Sequence, residues 1–243
     1  MLTCNKGFSA IELLIALTII GLIMAGLYDL VVTTSRFYVA QNNVVQMQAD
    51  GRTAMDFIVR ELRSAFGPTT ITTITSADDT INFNRVEDTG QSSGGNTGTT
   101  LNDNTKNWIV NEYSSSATSE FSIRIISGTG SGQVRTIKEN SSTRITPLLA
   151  WGVVPNETSI YLITSNKTFT RTSTSDNILR YRIGATGNNN PLAENIVSHS
   201  FKNLTSPNTN TIRVTLKSRT TSLDPTTKQY KYYELTEDVR RRN

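Results

Sequence analysis

Lys6-Gly7-Phe8-Ser-Ala-Ile-Glu12-Leu13-Leu-Ile-Ala-Leu-Thr-Ile-Ile-Gly-Leu-Ile-Met-Ala-Gly-Leu-Tyr28 decides how this chain is read. From Leu13 to Tyr28 there is no charge. With the apolar residues on either side, the run approaches the roughly 20 residues that carry a helix across a bilayer. Glu12 stands at its mouth. A carboxylate in or near hydrocarbon costs about 2.5–3.5 kcal/mol on insertion scales, so its presence there points to function. A secretory signal peptide would end its apolar run in small residues and a cleavage site. Here the small residue, Gly7, precedes the run.

Lys6-Gly7-Phe8-Ser-Ala-Ile-Glu12-Leu-Leu resembles the class III signal of type IV prepilins and pseudopilins. The resemblance implies that a dedicated peptidase cuts between Gly7 and Phe8 on the cytoplasmic side. It implies N-methylation of the new Phe8 terminus. It also implies that Glu12, fifth in the mature chain, sets subunit register by pairing with the Phe8 amine of a neighbouring subunit. The chemistry agrees. Glycine before the cut leaves the backbone open to close approach. Lys6 holds the leader in the cytoplasm by the positive-inside bias. Two charges that are each costly in an apolar bundle relieve one another when paired.

Composition fits an extracytoplasmic protein on a single anchor. The 243 residues allow one or two domains. The net charge of +4 is too small and too dispersed to indicate a nucleic-acid partner. Cys4, the only cysteine, falls in the leader, so the mature chain has no thiol or disulfide chemistry.

Helical periodicity continues beyond the apolar run. Met47, Gly51, Ala54, Met55, Ile58, Leu62, Ala65 and Phe66 recur at spacings of three and four, which makes one apolar face. Arg52, Asp56 and Arg60 fall at i, i+4 on another face and suit a small charge ladder. Gly67-Pro68 is a helix stop. A helix from Phe8 to Phe66 would span roughly 85–90 Å. After Pro68 the pattern turns to strands: 71–74, 80–84, 121–126, 133–137, 159–163, 178–182, 211–216 and 228–236, with 223–227 as the turn into the last.

The expected fold is α+β. A long N-terminal α-helix, transmembrane in its first half, packs on a mainly antiparallel β-sheet head with a small inserted β module. Residues 1–7 form the cleaved leader and 8–30 the transmembrane helix. Residues 31–66 are its amphipathic continuation, and 67–88 with 164–243 the head. Residues 89–163 are the insert, entered through a Gly/Ser/Thr/Asn stretch that reads as a linker from Thr89 to Asn104. Its tryptophans, Trp108 and Trp151, suit a small core.

Other motifs carry less. Ser127-Gly-Thr-Gly-Ser-Gly-Gln133 lacks the Gly-Lys-Ser/Thr ending of a phosphate loop and reads as a hairpin connection. His199, the only histidine, has no cysteine companions and reads as a strand-surface imidazole. Asp78-Asp79 and Glu87-Asp88 lack calcium-loop spacing and read as solvated turns. Arg240-Arg-Arg242 reads as a solvated basic end. No catalytic set, cofactor or metal site is expected, and the chain is expected not to be an enzyme.

Residues 49–63 and the tail from Leu179 to Asn243 resemble minor pilins of the PilW type and J-type pseudopilins. The resemblance implies a minor pilin that acts in the initiation or tip complex of a type IV pilus. The alternatives are a J-type pseudopilin of type II secretion and a tip adhesin or DNA-uptake subunit that acts through the insert. Implied partners are the prepilin peptidase/N-methyltransferase, other minor and major pilins, the inner-membrane assembly platform and the lipid bilayer. The implied location is the inner membrane, single-pass with the head outside the cytoplasm, and then the pilus or pseudopilus.

Overall fold

A computed structural model describes residues 9–75, 78–115, 120–171, 176–184, 187–204 and 211–241. Among the described residues one helix, α1 (Ala10–Arg63), precedes twelve strands. These are β1 (Ala65–Thr75), β2 (Asp78–Gln91), β3 (Leu101–Asn102), β4 (Phe121–Ser127), β5 (Val134–Asn140) and β6 (Arg144–Pro147). They continue as β7 (Ile160–Thr170), β8 (Leu179–Ile183), β9 (Asn190–Ala193), β10 (Ile196–Leu204), β11 (Thr211–Arg219) and β12 (Tyr232–Arg240). The fold is α+β: a long N-terminal helix and a large, mostly antiparallel sheet. The chain divides into two compact units. One holds the helix up to Gln46 together with Thr220–Lys231; the other holds Met47–Arg219 and the chain from Tyr232 onward.

In the larger unit the sheet runs β12-β11-β10-β2-β7-β4-β5-β6-β3, with β1 also on β2 and β8 on β7 and β9. The parallel contact is a single pairing of His199 with Asp78. The helix packs here through Met47, Gly51, Ala54, Met55, Ile58, Val59 and Leu62, the one-sided stripe of the sequence. Gly51 admits close approach: a Cβ there would stand 3.3 Å from Ser218 Oγ. Glu61, at 4% exposure, is held by Arg85 Nη1 at 3.1 Å, and Tyr181 donates to it at 3.4 Å. Of the expected Arg52–Asp56–Arg60 ladder, Arg60 instead stacks its guanidinium 5.2 Å above the Phe57 ring.

The helix stops at Arg63, three residues before the expected end. Ser64 donates its backbone N–H and its hydroxyl to the Glu61 carbonyl. Ala65 and Phe66 then pair with Arg85 and Asn84 in β1. Gly67 (φ 74°) serves a bulge in that strand rather than a helix cap. Sheet pairing captures the last helical-looking residues because β2 offers them a ladder partner.

Two apolar clusters form. In the first, Ile58 and Leu62 of α1 meet Ile81, Phe83, Phe169, Phe201, Ile212, Val214 and Leu216 of the sheet. Phe169 is its centre, stacked on Phe83 at 5.6 Å and Phe201 at 6.4 Å and met edge-on by Phe57 at 6.1 Å. In the second, Leu101, Trp108, Tyr113, Ile123, Ile125, Ile137, Ile145, Trp151, Tyr161 and Ile163 are buried together. Both tryptophans belong to it. Trp108 Nε1 donates to Asp88 Oδ2 at 2.7 Å, and the Tyr161 hydroxyl to Asp103 Oδ2 at 2.6 Å.

The expected linker from Thr89 to Asn104 is instead ordered structure. Thr89-Gly-Gln91 complete β2 against Leu162, Tyr161 and Ile160, and Leu101-Asn102 form β3. Gly90 is required, since a side chain there would strike the Tyr161 hydroxyl and the Asp103 carboxylate. Between the strands, Asn96 accepts from the Asn102 N–H at 2.7 Å and donates to the Pro155 carbonyl at 2.8 Å, while Ser93 Oγ accepts from the Asn104 N–H at 2.8 Å. Short polar side chains that read as linker by composition here satisfy the backbone of a tight turn. Val86 faces Thr164 across the ladder, with a bulge at Glu87, so the two expected borders of the module are cross-strand neighbours.

His199 and Asp78 depart from their surface readings. Both are buried, at 1% and 2% exposure. Arg171 Nη2 lies 3.0 Å from Asp78 Oδ2 and its Nη1 donates to the Ile196 carbonyl at 2.8 Å. His199 Nε2 donates to the Asp79 carbonyl at 2.5 Å, and its Nδ1 lies 3.2 Å from Asp78 Oδ1. The Asp79 carboxylate accepts the Phe201 N–H at 2.9 Å, so it binds the backbone in the middle of β10 rather than standing in a solvated turn. Alternation in β10 turns His199 and Phe201 inward, and the bulge between Ile196 and Ser198 lets Ile196 be buried as well. The final strand also shifts: β12 covers 232–240, not 228–236, because its nine residues match the nine of β11 from Arg219↔Tyr232 to Thr211↔Arg240.

Burial is the leading influence on His199 and holds its imidazole below the ordinary value, against the pull of the Asp78 carboxylate. A depressed folded-state value stabilises the fold above the unfolded value of about 6.5 and loses that contribution as pH falls through it. Because His199 is the only histidine, the urea midpoint of the detergent-solubilised chain should fall between pH 7.5 and 5.5, and His199→Gln should flatten that dependence. A midpoint that rises toward pH 5.5 would contradict the assignment. A second expectation follows from the β2–β7 ladder. Residues 92–159 replaced by a two-residue turn that joins Gln91 to its partner Ile160 should leave a head that melts cooperatively by circular dichroism. Non-cooperative melting would mean that the first cluster depends on the second.

Candidate functional site: the start of the helix

Gly7 and Phe8, the expected cleavage and methylation positions, lie outside the described residues, as does the rest of the leader. The described chain begins at Ser9, and α1 follows at once. From Ile11 onward the large apolar side chains stand open: Ile11 is 71% exposed and Leu22 71%. The helix is long and apolar enough to cross a membrane.

Glu12 lies in the first turn. Its Oε2 accepts the Ser9 N–H at 2.9 Å, and Ser9 Oγ accepts the Ile11 N–H at 3.3 Å. Ser9 and Glu12 thus close a capping box, in which two of the orphan donors at a helix start are satisfied reciprocally. The carboxylate also faces the positive end of the helix dipole. The charge of Glu12 alone does not point to Ser9. The S-x-x-E spacing ahead of an apolar run is the signal that finds it. Glu12 therefore has a partner within its own chain, and it is exposed to meet another.

Further up, Thr18 Oγ1 donates to the Leu14 carbonyl at 2.7 Å, which satisfies a hydroxyl on the exposed apolar surface. Asp29 is the next acid. Gly21 and Gly26 have open space around them, so neighbouring helices could approach closely.

The remaining candidates lie apart from this helix start. Ser127–Gln133 is the hairpin connection between β4 and β5, with Gly128, Gly130 and Gly132 all at positive φ. Asp88 binds Lys106 Nζ at 2.8 Å and Trp108; burial opposes its ionisation, and these hydrogen bonds outweigh it and hold the carboxyl below its ordinary value. Arg240 is exposed, Arg241 donates to the Gly67 carbonyl at 2.7 Å, and Arg242 lies outside the described residues. Among the described residues no group of three or more His, Cys, Asp or Glu side chains could hold a metal ion.

No curated protein and no solved structure matches the chain. A family model described as the prokaryotic N-terminal methylation motif matches residues 2–28. The matched segment contains Gly7, Phe8, the Ser9–Glu12 capping box and the apolar run to Tyr28. It is a prepilin-type signal on an apolar helix, and it supports a membrane-anchored, type IV pilin-like or pseudopilin protein handled by prepilin peptidase and pilin assembly machinery.

Proposed function

We propose that the chain is a PilW-type minor pilin, a structural subunit in the initiation or tip complex of a type IV pilus rather than an enzyme. The observation that carries this reading is the succession Gly7-Phe8, a capped Glu12 in the first helical turn, and an apolar surface exposed all round the helix. Prepilin peptidase would cut between Gly7 and Phe8 and methylate the Phe8 amine. The subunit would wait in the inner membrane with its head outside the cytoplasm, beside the assembly platform and the other pilins. A J-type pseudopilin role uses the same chemistry in a type II secretion system.

The capping box gives Glu12 two successive partners. In the single subunit the Ser9 N–H holds the carboxylate. In a filament the methylated amine of Phe8 on a neighbouring subunit replaces a neutral donor with a charged one, a stronger hydrogen bond in an apolar bundle. A subunit out of register leaves the Phe8 amine without a counter-charge and Glu12 with only its neutral donor, Ser9 N–H.

Gly7→Phe should block processing, and mass spectrometry of the assembled protein should find N-methyl-Phe8 as the first residue; an intact Met1 on assembled protein would sink the reading. Two Glu12 variants separate capping from charge. Glu12→Gln retains an acceptor for the Ser9 N–H and loses the charge, while Glu12→Ala loses both. Both should be cleaved and membrane-inserted, and both should enter sheared pili at least tenfold less than the parent. If Glu12→Gln assembles normally and only Glu12→Ala fails, the role of Glu12 is capping and not register.

A further inference from the structure

The second cluster's strands carry an exposed acceptor triplet with no role in the reading above. Four Asn-x-Ser/Thr triplets occur in the chain, starting at Asn140, Asn156, Asn166 and Asn203. Such a triplet is the acceptor pattern for N-linked sugar in exported proteins, and it serves only on a surface that an enzyme can reach. The fold separates the four. Asn140 is 2% exposed; its Nδ2 donates to the Ile109 carbonyl at 2.8 Å and its Oδ1 accepts the Tyr113 N–H at 2.8 Å. Asn166 lies within β7, and the threonine of its triplet, Thr168, is wholly buried. Asn203 is paired with Ile212 in the β10–β11 ladder, and Thr205 lies outside the described residues. Asn156, Glu157 and Thr158 are all exposed, in the turn that leads into β7.

The turn holds the oxygen of the Asn156 amide and leaves its nitrogen open. The Thr158 N–H and hydroxyl donate to Asn156 Oδ1 at 2.9 and 2.7 Å. The Ser159 N–H donates to the Asn156 carbonyl at 2.9 Å, and Gln91 Nε2 to the Glu157 carbonyl at 2.6 Å. Asn156 Nδ2 has no acceptor among the described residues. A second observation lies just before it. Residues 148–155 carry no charge, and Leu148, Leu149, Val153 and Val154 are 57%, 69%, 54% and 42% exposed. This loop is not free to turn them inward, because its backbone is fixed. Arg135 Nε donates to the Ala150 carbonyl at 2.8 Å, and Gln133 Oε1 accepts the Gly152 and Val153 N–H groups at 2.7 and 3.1 Å. Val154 stands at most about 7 Å of chain from Asn156. A fixed apolar strip open to solvent is unfavourable unless something covers it, and a bulky, hydrated saccharide on Asn156 is such a cover. We propose that Asn156 is an N-glycosylation site whose sugar shields the strip at 148–154. The acceptor takes a saccharide joined through its anomeric carbon to a pyrophosphate carrier. A bond forms from Nδ2 to that carbon, and the carbon–oxygen bond to phosphate breaks. The carrier pyrophosphate leaves as an anion, and one Nδ2 proton passes to a base on the transferase.

This inference rests on the reading of a processed subunit with its head outside the cytoplasm, and the test separates the two. Full-length protein is purified from the membranes of the producing cells and digested. Its peptides are sequenced by mass spectrometry with electron-transfer fragmentation, which leaves sugars in place, and the first residue is read from the same digest. Asn156 should carry a saccharide mass in at least half of the copies that begin at N-methyl-Phe8. Asn156→Gln and Thr158→Val should lose that mass, and Thr158→Ser, which keeps the hydroxyl, should retain it. Binding of a dye for apolar surface should rise at least twofold in the two sugar-free variants and stay at the parent level in Thr158→Ser; a parent-level signal in the sugar-free variants overturns the shielding. Unmodified Asn156 on protein that begins at N-methyl-Phe8 overturns the site and spares the processing. A saccharide on Asn156 of protein that retains Met1 upholds the site and overturns the processing, and unmodified Asn156 there overturns both. A saccharide at Asn166 or Asn203 alone overturns the proposal. So does one that survives Asn156→Gln and vanishes in Thr158→Val, since it sits on the threonine hydroxyl.

Discussion

The ladder between β2 and β7 is the constraint on which the larger unit depends. It runs from Ile81↔Phe169 to Gln91↔Ile160. One end places Ile81, Phe83 and Phe169 under the helix. The other places Tyr161 and Ile163 in the second cluster. Two cores thus share one pair of strands, and the bulge at Glu87 falls where one gives way to the other. A bulge raises local twist and re-aims side chains, which suits a change of packing partner. β4 extends this ladder: it pairs with β7 from Phe121↔Ser165 to Ser127↔Ile160.

Charge is concentrated at the same junction. Glu61 of the helix binds Arg85, Arg85 lies 3.9 Å from Glu87, and Glu87 lies 3.5 Å from Lys167. Ser165 donates to Glu87, and the Lys167 ammonium lies 5.5 Å from the Tyr181 ring centre. Burial, with the Glu61 charge beside it, raises the Tyr181 phenol well above its ordinary value, so it remains a donor to that carboxylate. Alternating signs let each buried charge have a partner, where a lone one would be severely destabilising. The chain of contacts fixes the rotation of the helix end on the sheet more specifically than apolar packing could, since an apolar face tolerates small slides.

The start of α1 obeys a different rule. Its large apolar side chains are exposed rather than packed in a core, and beside such a surface a carboxylate is best held by a donor at hand. Ser9 supplies that donor. The capping box that begins the helix thus also orients the Glu12 carboxylate.

The N-terminal signal, the long helix, its change from all-round to one-sided apolarity and the β-rich head are legible in the sequence, because each rests on local spacing. Met47 to Leu62 repeats with the helical period, and β11 alternates. The hairpin at Ser127–Gln133 is legible for the same reason, since three glycines suit three positive φ angles. What only the tertiary structure decided depends on partners distant in sequence. Ala65 and Phe66 leave the helical pattern because β2 lies beside them. Thr89–Gln91 become strand because Ile160–Leu162 present a free edge. Asp78 and His199 are drawn inward because Arg171, some ninety residues beyond Asp78, supplies a charge for the aspartate. Composition marks such residues as polar and leaves their burial open. Burial follows only when long-range pairing offers each polar group a hydrogen bond or a counter-charge to replace water.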